Sequence, residues 1–373
     1  MNISHNLPDG DPGRVYRDWV DLAVEAERLG YWSAWTTEHH FGSDRAYRPF
    51  GVSEQEFPAT DYDLAVDPLQ LLTYVAARTT TLRLGTAVAI LPWDHPIRVA
   101  ERAAMLDVLS GGRLELGVGR GVGFREADVF GVPTETDVAQ RKFREAIDVI
   151  STAWSGEEFT FEGEFWKFPR LRLVPRPQRR PAPIWVGCAS IGSVEWAGTH
   201  GYPYATITWP LTAIELYRAK RDAYLAAGAA AGHDLSENPI PHFLYMYCAE
   251  TDAEARDVGM HYMRQLQYIN ESHYERERQV QKGKVFGVDP EVFKNVDELA
   301  RFPVEHHMIG TPQTCVERLE LLQEQTGLNY LVCNIGFGRM PHDMTLRSLR
   351  RFATDVLPRF ADHAEPARTA VAP

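Results

Sequence analysis

The sequence predicts an α/β fold built around a parallel sheet. About eight short apolar segments, rich in β-branched and aromatic residues, alternate with segments whose apolar residues recur at helical spacing. The apolar segments are largely continuous, which indicates strands that are covered on both faces. About eight such strand and helix units in one chain fit a closed (β/α)8 TIM barrel with insertions better than an open sheet.

The first units follow this alternation closely. Apolar residues recur at helical spacing from Trp19 to Leu29, Gly30 stops the helix, and the strand "YWSAW" follows. The next strand is predicted as one continuous element, "TLRLGTAVAILP". Pro96 then opens a helix that Gly111 and Gly112 close.

Later units continue the pattern with one interruption. The segment "RLELGVG" reads as a strand, and "FTFEGEFWKF" alternates like a β-hairpin. Further strands are predicted at "IWVGC", "YATITW", "FLYMYCA" and "YLVCNIGF", and the last helix at Leu346 to Val356, whereas the first strand, "NISHNL", is weak. We expect a single domain over residues 1–360, with insertions near 42–63, 156–183 and 270–307 and a disordered tail at 361–373.

Composition narrows the class of ligand. The formal net charge of −12 argues against nucleic acid and against an anionic membrane surface, and favours a small molecule. The start "MNISHNLPDG" lacks signal-peptide features, and no apolar run approaches the roughly 18 residues of a membrane span. The cysteines form no C-x-x-C pair, which is typical of a reduced cytoplasmic protein; they are Cys188, Cys248, Cys315 and Cys333.

The stretch "TTEHHF" directly follows a predicted strand, where barrels of this type place their ligand sites. His39 and His40 are adjacent, so on an extended chain they point to opposite sides and are poorly placed to share a metal ion. No metal is therefore expected. A side chain packed and hydrogen-bonded in the barrel wall is the plain alternative for His40 and for Glu38.

Two further strand ends suggest a phosphate. "GVGRGVGF" does not meet the spacing of a dinucleotide fingerprint, but its glycines allow close backbone approach and Arg120 supplies a forked cation. A structural turn with a surface arginine is the alternative. Ser190 and Ser193 begin a helix whose amino terminus favours an anion, although ordinary capping alone would explain Ser190.

A fourth strand end carries an aromatic residue. Thr208 and Trp209 end the strand "YATIT", and Trp209 could form one wall of a flat pocket. An aromatic residue at such a position is equally consistent with core packing.

Five motifs in order carry a family resemblance: "GYWSAWTTEHHF", "LRLGTAVAILPWDHPIRVAERAAMLDVLSGGRLELGVGRG", "DVFGV", "IWVGCASIGSVEWA" and "GTPQTCVERLE". Through them the chain resembles the bacterial luciferase-like, flavin-dependent monooxygenases over nearly its whole length. The resemblance implies a (β/α)8 barrel that binds reduced FMN (FMNH2) and reacts it with O2 to a C4a-(hydro)peroxyflavin. It also implies oxygenation of a small hydrophobic substrate such as an aldehyde, ketone or terpene.

The resemblance also assigns residues. His39 matches the catalytic histidine of the family, and Glu38 lines the same end of the barrel. The cofactor-binding positions that it implies are Glu38, Ala87, Val88, Arg120, Gly121, Val122, Ser190, Ser193, Thr208 and Trp209. A cis peptide is implied between Ala87 and Val88, and Gly119 stands where luciferase has a reactive cysteine.

The implied partners are a separate NAD(P)H:flavin reductase, since no dinucleotide fingerprint occurs here, and a second copy of the chain in a homodimer. Two alternatives remain open. One is a dehydrogenase or reductase that uses the deazaflavin F420 on the same barrel, and the other is a non-catalytic flavin-binding protein.

Overall fold

The computed structural model describes residues 2–3, 12–40, 67–121, 124–132, 136–179, 184–206, 213–263, 265 and 307–363. The strands are β1 (Asn2–Ile3), β2 (Ser33–Thr36), β3 (Arg83–Thr86), β4 (Ala89–Ile90), β5 (Leu114–Gly119), β6 (Phe159–Glu162), β7 (Lys167–Leu171), β8 (Ile184–Gly187), β9 (Tyr204–Ala205), β10 (Pro241–Cys248), β11 (Met308–Gly310) and β12 (Tyr330–Ile335).

Helices follow most of the strands. They are α1 (Pro12–Arg28), α2 (Pro68–Ala76), α3 (Pro96–Ser110), α4 (Phe124–Phe130), α5 (Thr136–Ser155), α6 (Ile191–Thr199), α7 (Ala213–Ala230), α8 (residues 252–263), α9 (Pro312–Thr326) and α10 (His342–Asp355). Short 3-10 segments lie at Leu91–Trp93 and Leu357–His363. Within the described part of the chain, no helix combines the length and the apolar character that crossing a bilayer requires.

The main sheet is parallel and curls around an interior. Its order is β11-β10-β12-β1-β2-β3-β5-β8-β9, with β4 also paired to β5. Two strands separate β2 from β8, yet the rings of Trp35 and Trp185 lie 5.4 Å apart inside the curl. Cα atoms of β9 also come within 8 Å of β10. The α/β class and the curled parallel sheet are confirmed, whereas the pairings over the described residues leave full barrel closure a prediction.

The principal core lies between the outer face of the sheet and the helices. Leu84, Leu116 and Val118 project outward from β3 and β5 and are fully buried with helix residues such as Ala103 and Ile147. Because side chains alternate along a strand, the intervening residues of these strands face the interior of the curl. The sheet therefore has one face for stability against helices and one face that is free to form a site.

The start and the end of α3 lie where the proline and glycine signals in the sequence predicted them. In α3, Pro96 occupies the first turn, and the His95 side chain accepts a hydrogen bond from the backbone N–H of Ile97 at 3.3 Å. The helix ends at Gly111, whose φ of 72° lies in the left-handed region that favours glycine. The antiparallel hairpin of β6 and β7 is also confirmed, and it falls in the predicted insertion 156–183.

Several predictions are corrected. The strand "TLRLGTAVAILP" is two strands, β3 and β4, separated by a cis peptide between Ala87 and Val88. The last helix begins at His342, four residues before the predicted start. The prediction missed its first turn because that turn carries polar residues, which do not show the apolar spacing. Strand β11 was not predicted. Helical order reaches His363, three residues into the predicted tail. The predicted insertion 42–63 and, except for His307, the predicted insertion 270–307 lie outside the described residues.

Candidate active site at the carboxyl ends of the strands

The amino end of the interior is closed by a polar and aromatic layer, the floor cluster of Ser33, Arg83, Glu115, Trp185 and Tyr330. The Glu115 carboxylate pairs with Arg83 and accepts a hydrogen bond from Trp185 Nε1 at 2.8 Å. The hydroxyls of Tyr330 and Ser33 are hydrogen-bonded at 2.7 Å. All five residues are buried. Because these residues are buried and their polar groups are paired with one another, this end offers no free polar group of the floor cluster to a ligand.

Above the floor cluster, one wall of the interior lacks side chains. Gly117 and Gly119 alternate with Glu115 on β5, and Gly187 alternates with Trp185 on β8, so all three face inward. We call these three residues the glycine wall. A Cβ at Gly119 would lie 2.3 Å from Val88 Cγ2, which explains why a cysteine does not stand there.

Val88 is the side chain that rests against this wall. A Cβ added at Gly187 would come within 3.3 Å of Val88 Cγ1, so Val88 contacts both β5 and β8. The structure has the cis peptide between Ala87 and Val88 at the position where the resemblance placed one. The role of these two residues beside a flavin stays a prediction.

Accessibility increases toward the carboxyl ends of the strands. Inward residues of the floor cluster are buried, whereas several inward residues nearer the carboxyl ends of the strands keep accessible surface, although Gly117 and Gly119 on β5 stay buried. The partly accessible residues are Thr37, Ala87, Gly187, Tyr245 and Asn334. The interior therefore opens at the carboxyl end, where ligand sites of parallel α/β folds lie.

Glu38 connects two strand ends. One carboxylate oxygen, Oε1, is 2.8 Å from His40 Nε2, and the other accepts a hydrogen bond from the backbone N–H of Ile90 at 2.7 Å. The His40 ring packs edge-on against Trp93 and Phe130, with centroid distances of 5.5 and 5.0 Å. The packed, hydrogen-bonded histidine that was the plain alternative for His40 is confirmed. The Glu38 hydrogen bond and charge raise the pKa of His40 above its ordinary value.

His39 differs from its neighbour in its surroundings. It is exposed, and it lies at the same edge of the sheet, three residues beyond the end of β2. Its assignment as the catalytic histidine stays a prediction. Among the residues that the structure describes, no group of three or more His, Cys, Asp or Glu side chains could hold a metal ion.

Arg120 follows β5 directly and is half-buried. Gly121 turns the chain with a φ of 79°, and a Cβ there would lie 2.7 Å from Ile90 Cγ2. Ile90 thus contacts this turn as well as Glu38, which brings the ends of β2, β4 and β5 together. Val122 lies outside the described residues.

Ser190 and Ser193 form a capping box at the start of α6. The Ser193 N–H donates to Ser190 Oγ at 3.3 Å, and the Ser190 N–H donates to Ser193 Oγ at 3.0 Å. Ordinary capping, the alternative for Ser190, is therefore present. It leaves the N–H groups of Ile191 and Gly192 without a partner among the described residues, so the turn still offers two donors to an anion.

A cysteine next to this turn is chemically quiet. Burial raises the pKa of the Cys188 thiol to about 12, and the thiol donates to the backbone oxygen of Ser193 at 3.3 Å. Because reactivity requires the thiolate, the raised pKa disfavours a nucleophilic role for Cys188, and its hydrogen bond joins the end of β8 to the first turn of α6.

The predicted residues share one edge of the sheet. β2, β3, β5 and β8 are consecutive neighbours, and their carboxyl ends carry Glu38 and His39, Ala87 and Val88, Arg120, and Ser190. Thr208 and Trp209 lie outside the described residues.

Sequence reasoning missed Gly187 and Tyr245. For Gly187 a signal existed, because glycine follows an inward residue at spacing two in both "ELGVG" and "WVG".

Comparison with known proteins identifies the class. A family model described as luciferase-like monooxygenase matches residues 2–329. The chain therefore belongs to the luciferase-like monooxygenase family, as the sequence motifs indicated.

Two relatives match along nearly their full lengths. The oxygenase component of the flavin-dependent trigonelline monooxygenase of Acinetobacter baylyi is 26% identical over 357 residues, covering 94% of this chain and 91% of that one. The alkanal monooxygenase alpha chain of the Kryptophanaron alfredi symbiont is 24% identical over 368 residues, covering 95% and 96%. These relatives support an oxidoreductase.

Solved structures share the fold. The monooxygenase RslO1 from Streptomyces bottropensis superposes with a TM-score of 0.77 at 24% identity, covering 97% of this chain and 100% of that one. The oxygenating constituent of 3,6-diketocamphane monooxygenase from Pseudomonas putida, in complex with FMN, gives 0.71 at 20%, covering 96% and 97%. An F420-dependent secondary alcohol dehydrogenase also gives 0.71, at 16%, covering 96% and 98%. The fold therefore accommodates both kinds of cofactor.

Proposed function

We propose that the protein is a monooxygenase that uses reduced FMN and O2 to oxygenate a small hydrophobic substrate. The observation that carries this proposal is the glycine wall beside Val88. A Cβ at Gly119 or Gly187 would crowd Val88, and a Cβ at Gly117 would collide with the carbonyl oxygen of Thr86. The absence of side chains on this wall lets Val88 lie close against β5 and β8, which leaves room above Val88 for one face of a planar ring system.

The residues around the wall fit the rest of FMN. Arg120 at the end of β5 supplies a cation, and the amino end of α6 supplies the N–H groups of Ile191 and Gly192. These groups lie at the carboxyl ends of adjacent strands and together would hold a phosphate. When bound there, reduced FMN supplies the electrons that activate O2, while the protein orients the reactants and excludes water.

Glu38 and His39 act at the other side of the site. Glu38 ties His40 to the backbone of Ile90, which fixes the segment that presents His39 at the mouth of the interior. His39 is the residue that holds or moves a proton next to the bound cofactor and substrate.

Replacement of His39 tests this assignment. The variant His39→Ala should bind reduced FMN normally in an anaerobic titration, whereas the product formed per FMNH2 oxidised should fall about 10²- to 10⁴-fold. The control His233→Ala removes another exposed imidazole and should behave as the wild type. An unchanged product yield in His39→Ala would contradict the role of His39.

The F420-dependent alternative has one supporting observation, the shared fold of the F420-dependent secondary alcohol dehydrogenase. Anaerobic titration of the protein with reduced FMN and, separately, with reduced F420 distinguishes the two. Saturable binding of reduced FMN in the micromolar range, with weaker binding of F420, is expected. The reverse order would replace the monooxygenase by a dehydrogenase or reductase.

Other parts of the proposal concern the assembly. The curled sheet closes as a (β/α)8 barrel where β9 approaches β10, residues 1–360 form one domain, and a separate NAD(P)H:flavin reductase supplies FMNH2. The protein acts in the cytoplasm, in keeping with four free, buried cysteines.

A second copy of the chain covers an exposed apolar patch on α2 and α3. The patch consists of Tyr74, Met105, Val108 and Leu109, each at least 39% exposed. Two neighbouring helices that present one apolar surface suit a two-fold interface, in which each patch covers the other. Light scattering of the wild type should give a dimer and Leu109→Lys a monomer, while the control Leu321→Lys, on α9, should remain dimeric. A monomeric wild type would exclude this interface.

A further inference from the structure

Tyr245 occupies an unusual position on the inner face of β10. Two residues earlier, Phe243 belongs to the interior aromatic cluster that also contains Trp35 and Trp185. Tyr245 is the next inward residue, one level closer to the carboxyl end, and its register partner on β12 is Asn334. Three strands separate β10 from β3 along the curled sheet, which places Tyr245 across the interior from Ala87.

Two rings hold the tyrosine side chain in place. His307 and Phe337 both contact the Tyr245 ring edge-on, with centroid distances of 5.1 and 5.2 Å. The backbone N–H of Tyr245 also donates to His307 Nδ1 at 3.4 Å. The direction of the ring is therefore determined by packing and not by a hydrogen bond of its hydroxyl.

The hydroxyl of Tyr245 has no hydrogen-bond partner within the described parts of the chain, although the residue is largely enclosed by its neighbours. Tyr330, on the adjacent strand in the floor cluster, is the contrast. Its hydroxyl is bonded to Ser33 Oγ at 2.7 Å and accepts from Trp35 Nε1 at 3.3 Å. Buried hydroxyls are normally satisfied, as that of Tyr330 is. Tyr245 keeps accessible surface, so the open interior is where its hydroxyl can find a partner.

The surroundings define what the hydroxyl can do. Burial raises the pKa of Tyr245 to about 12, so the group stays protonated and can donate. The packing beside Tyr245 at the ends of β10, β11 and β12 is apolar and rich in methionine: Tyr247, Met263, Ile309, Phe337 and Met340 form one buried cluster, and the partly buried Met260 and Met344 pack against it. Thioether side chains adapt to apolar groups of varied shape.

We propose that Tyr245 is a substrate-positioning residue whose hydroxyl donates a hydrogen bond to the carbonyl oxygen of an aldehyde or ketone. The apolar body of that substrate then lies toward the methionine-rich cluster, and its carbonyl carbon faces the glycine wall across the interior. This inference rests on the proposed function, because it requires a cofactor against that wall.

The test compares Tyr245→Phe with Tyr202→Phe. The second variant is a control outside the interior, because the Tyr202 hydroxyl is already bonded to Ser151 Oγ at 3.0 Å. Each protein is saturated with reduced FMN under anaerobic conditions, and binding of 2-octanone and of octane is followed through the flavin absorbance. Tyr245→Phe should weaken 2-octanone binding about 5- to 10-fold and leave octane binding unchanged, and Tyr202→Phe should change neither.

The outcomes separate this inference from the proposed function. Equal 2-octanone affinity in Tyr245→Phe and the wild type, with normal FMN binding, would overturn the inference and leave the proposed function standing. A wild type that binds 2-octanone no better than octane would also overturn it. Failure of the wild type to bind FMN in the preceding titration would instead overturn the proposed function and this inference together.

Discussion

The two ends of the curled sheet are built from the same strands but in opposite ways. At the amino end, the Glu115 carboxylate receives donors from Arg83, Arg179 and Trp185, and all but the Arg179 side chain are almost fully buried. At the carboxyl end, the glycine wall has no side chains, His39 is exposed, and the Tyr245 hydroxyl lacks a partner among the described residues. Polar groups that are satisfied internally stabilise the fold, and a hydroxyl without an internal partner is able to bind a ligand.

Along β5 and β8, only two residues separate the floor cluster from the glycine wall. On β5, inward Glu115 is followed by inward Gly117, and on β8, inward Trp185 is followed by inward Gly187. Because the outward residues between them remain apolar and buried, the packing against the helices continues unbroken past the point where the interior opens. The inner face of the sheet can therefore form a site while the outer face keeps its packing against the helices.

The largest effect should come from breaking the floor cluster. Glu115→Ala leaves Arg83 buried without its carboxylate, and loss of one partner of a buried ion pair costs about 3 to 5 kcal/mol. We expect that decrease in the free energy of unfolding measured with urea, and unchanged FMN affinity in the folded fraction.

A surface pair provides the control for this prediction. Glu158 pairs with Arg170 where both side chains are exposed, so Glu158→Ala should cost at most about 1 kcal/mol. If Glu115→Ala lowered FMN affinity more than it lowered stability, the assignment of the amino end to stability alone would be wrong.

A smaller effect is expected from filling the glycine wall. In Gly119→Ala the new Cβ would meet Val88 Cγ2 at 2.3 Å, and overpacking of this kind costs about 1 to 3 kcal/mol. We expect FMN to bind more weakly in a titration by fluorescence quenching. The Kd should rise about 10-fold for each 1.4 kcal/mol of this cost that affects only the FMN-bound protein.

The double variant distinguishes crowding from a general effect of losing glycine. Val88→Ala removes the methyl group that the new Cβ would meet, so Val88→Ala with Gly119→Ala should recover part of the stability lost by Gly119→Ala. Gly156→Ala is the control, because the nearest atom to its Cβ is at 3.4 Å, an ordinary contact. Additive losses in the double variant would show that Val88 does not limit this wall.

Much of the fold was predictable because its signals are local. Apolar spacing and caps predicted α3, continuous apolar character predicted β5, and the alternation around Glu162 and Gly163 predicted the hairpin of β6 and β7. The break between β3 and β4 was not predicted, because "TLRLGTAVAILP" stays apolar through a peptide whose cis geometry leaves no mark on the hydrophobic pattern.

The site was predictable in its parts but not in its pairings. Residues after strand ends pointed to Glu38, Arg120 and Ser190, since parallel strands place those ends together. That Glu38 binds His40 and the backbone of Ile90 depends on the position of β4, which the sequence did not reveal. The unsatisfied hydroxyl of Tyr245 is equally invisible in sequence, because it depends on what distant strands place around it.

The smallest predicted effect concerns the pair of Glu38 and His40, the titrating pair at the open end. Because Glu38 raises the pKa of His40 in the folded protein, the pair's stabilisation is fully present below the unfolded pKa of histidine. It is lost as the pH rises through the folded pKa. Glu38→Gln removes the charge but can still accept from Ile90, so it should cost about 1 kcal/mol at pH 6 and almost nothing at pH 9.

Two measurements check the sign of this dependence. Urea unfolding at the two pH values gives the difference in stability, and an NMR titration of the imidazole should show a lower pKa for His40 in Glu38→Gln than in the wild type. Glu250→Gln, whose carboxylate pairs with Arg351, serves as the control and should leave the His40 titration unchanged. A loss of stability as large at pH 9 as at pH 6 would mean that Glu38 acts through the backbone of Ile90 alone. The carboxyl end would then be held by the hydrogen bond from the Ile90 N–H to the Glu38 carboxylate, and unlike the floor cluster it would have no stabilising ion pair.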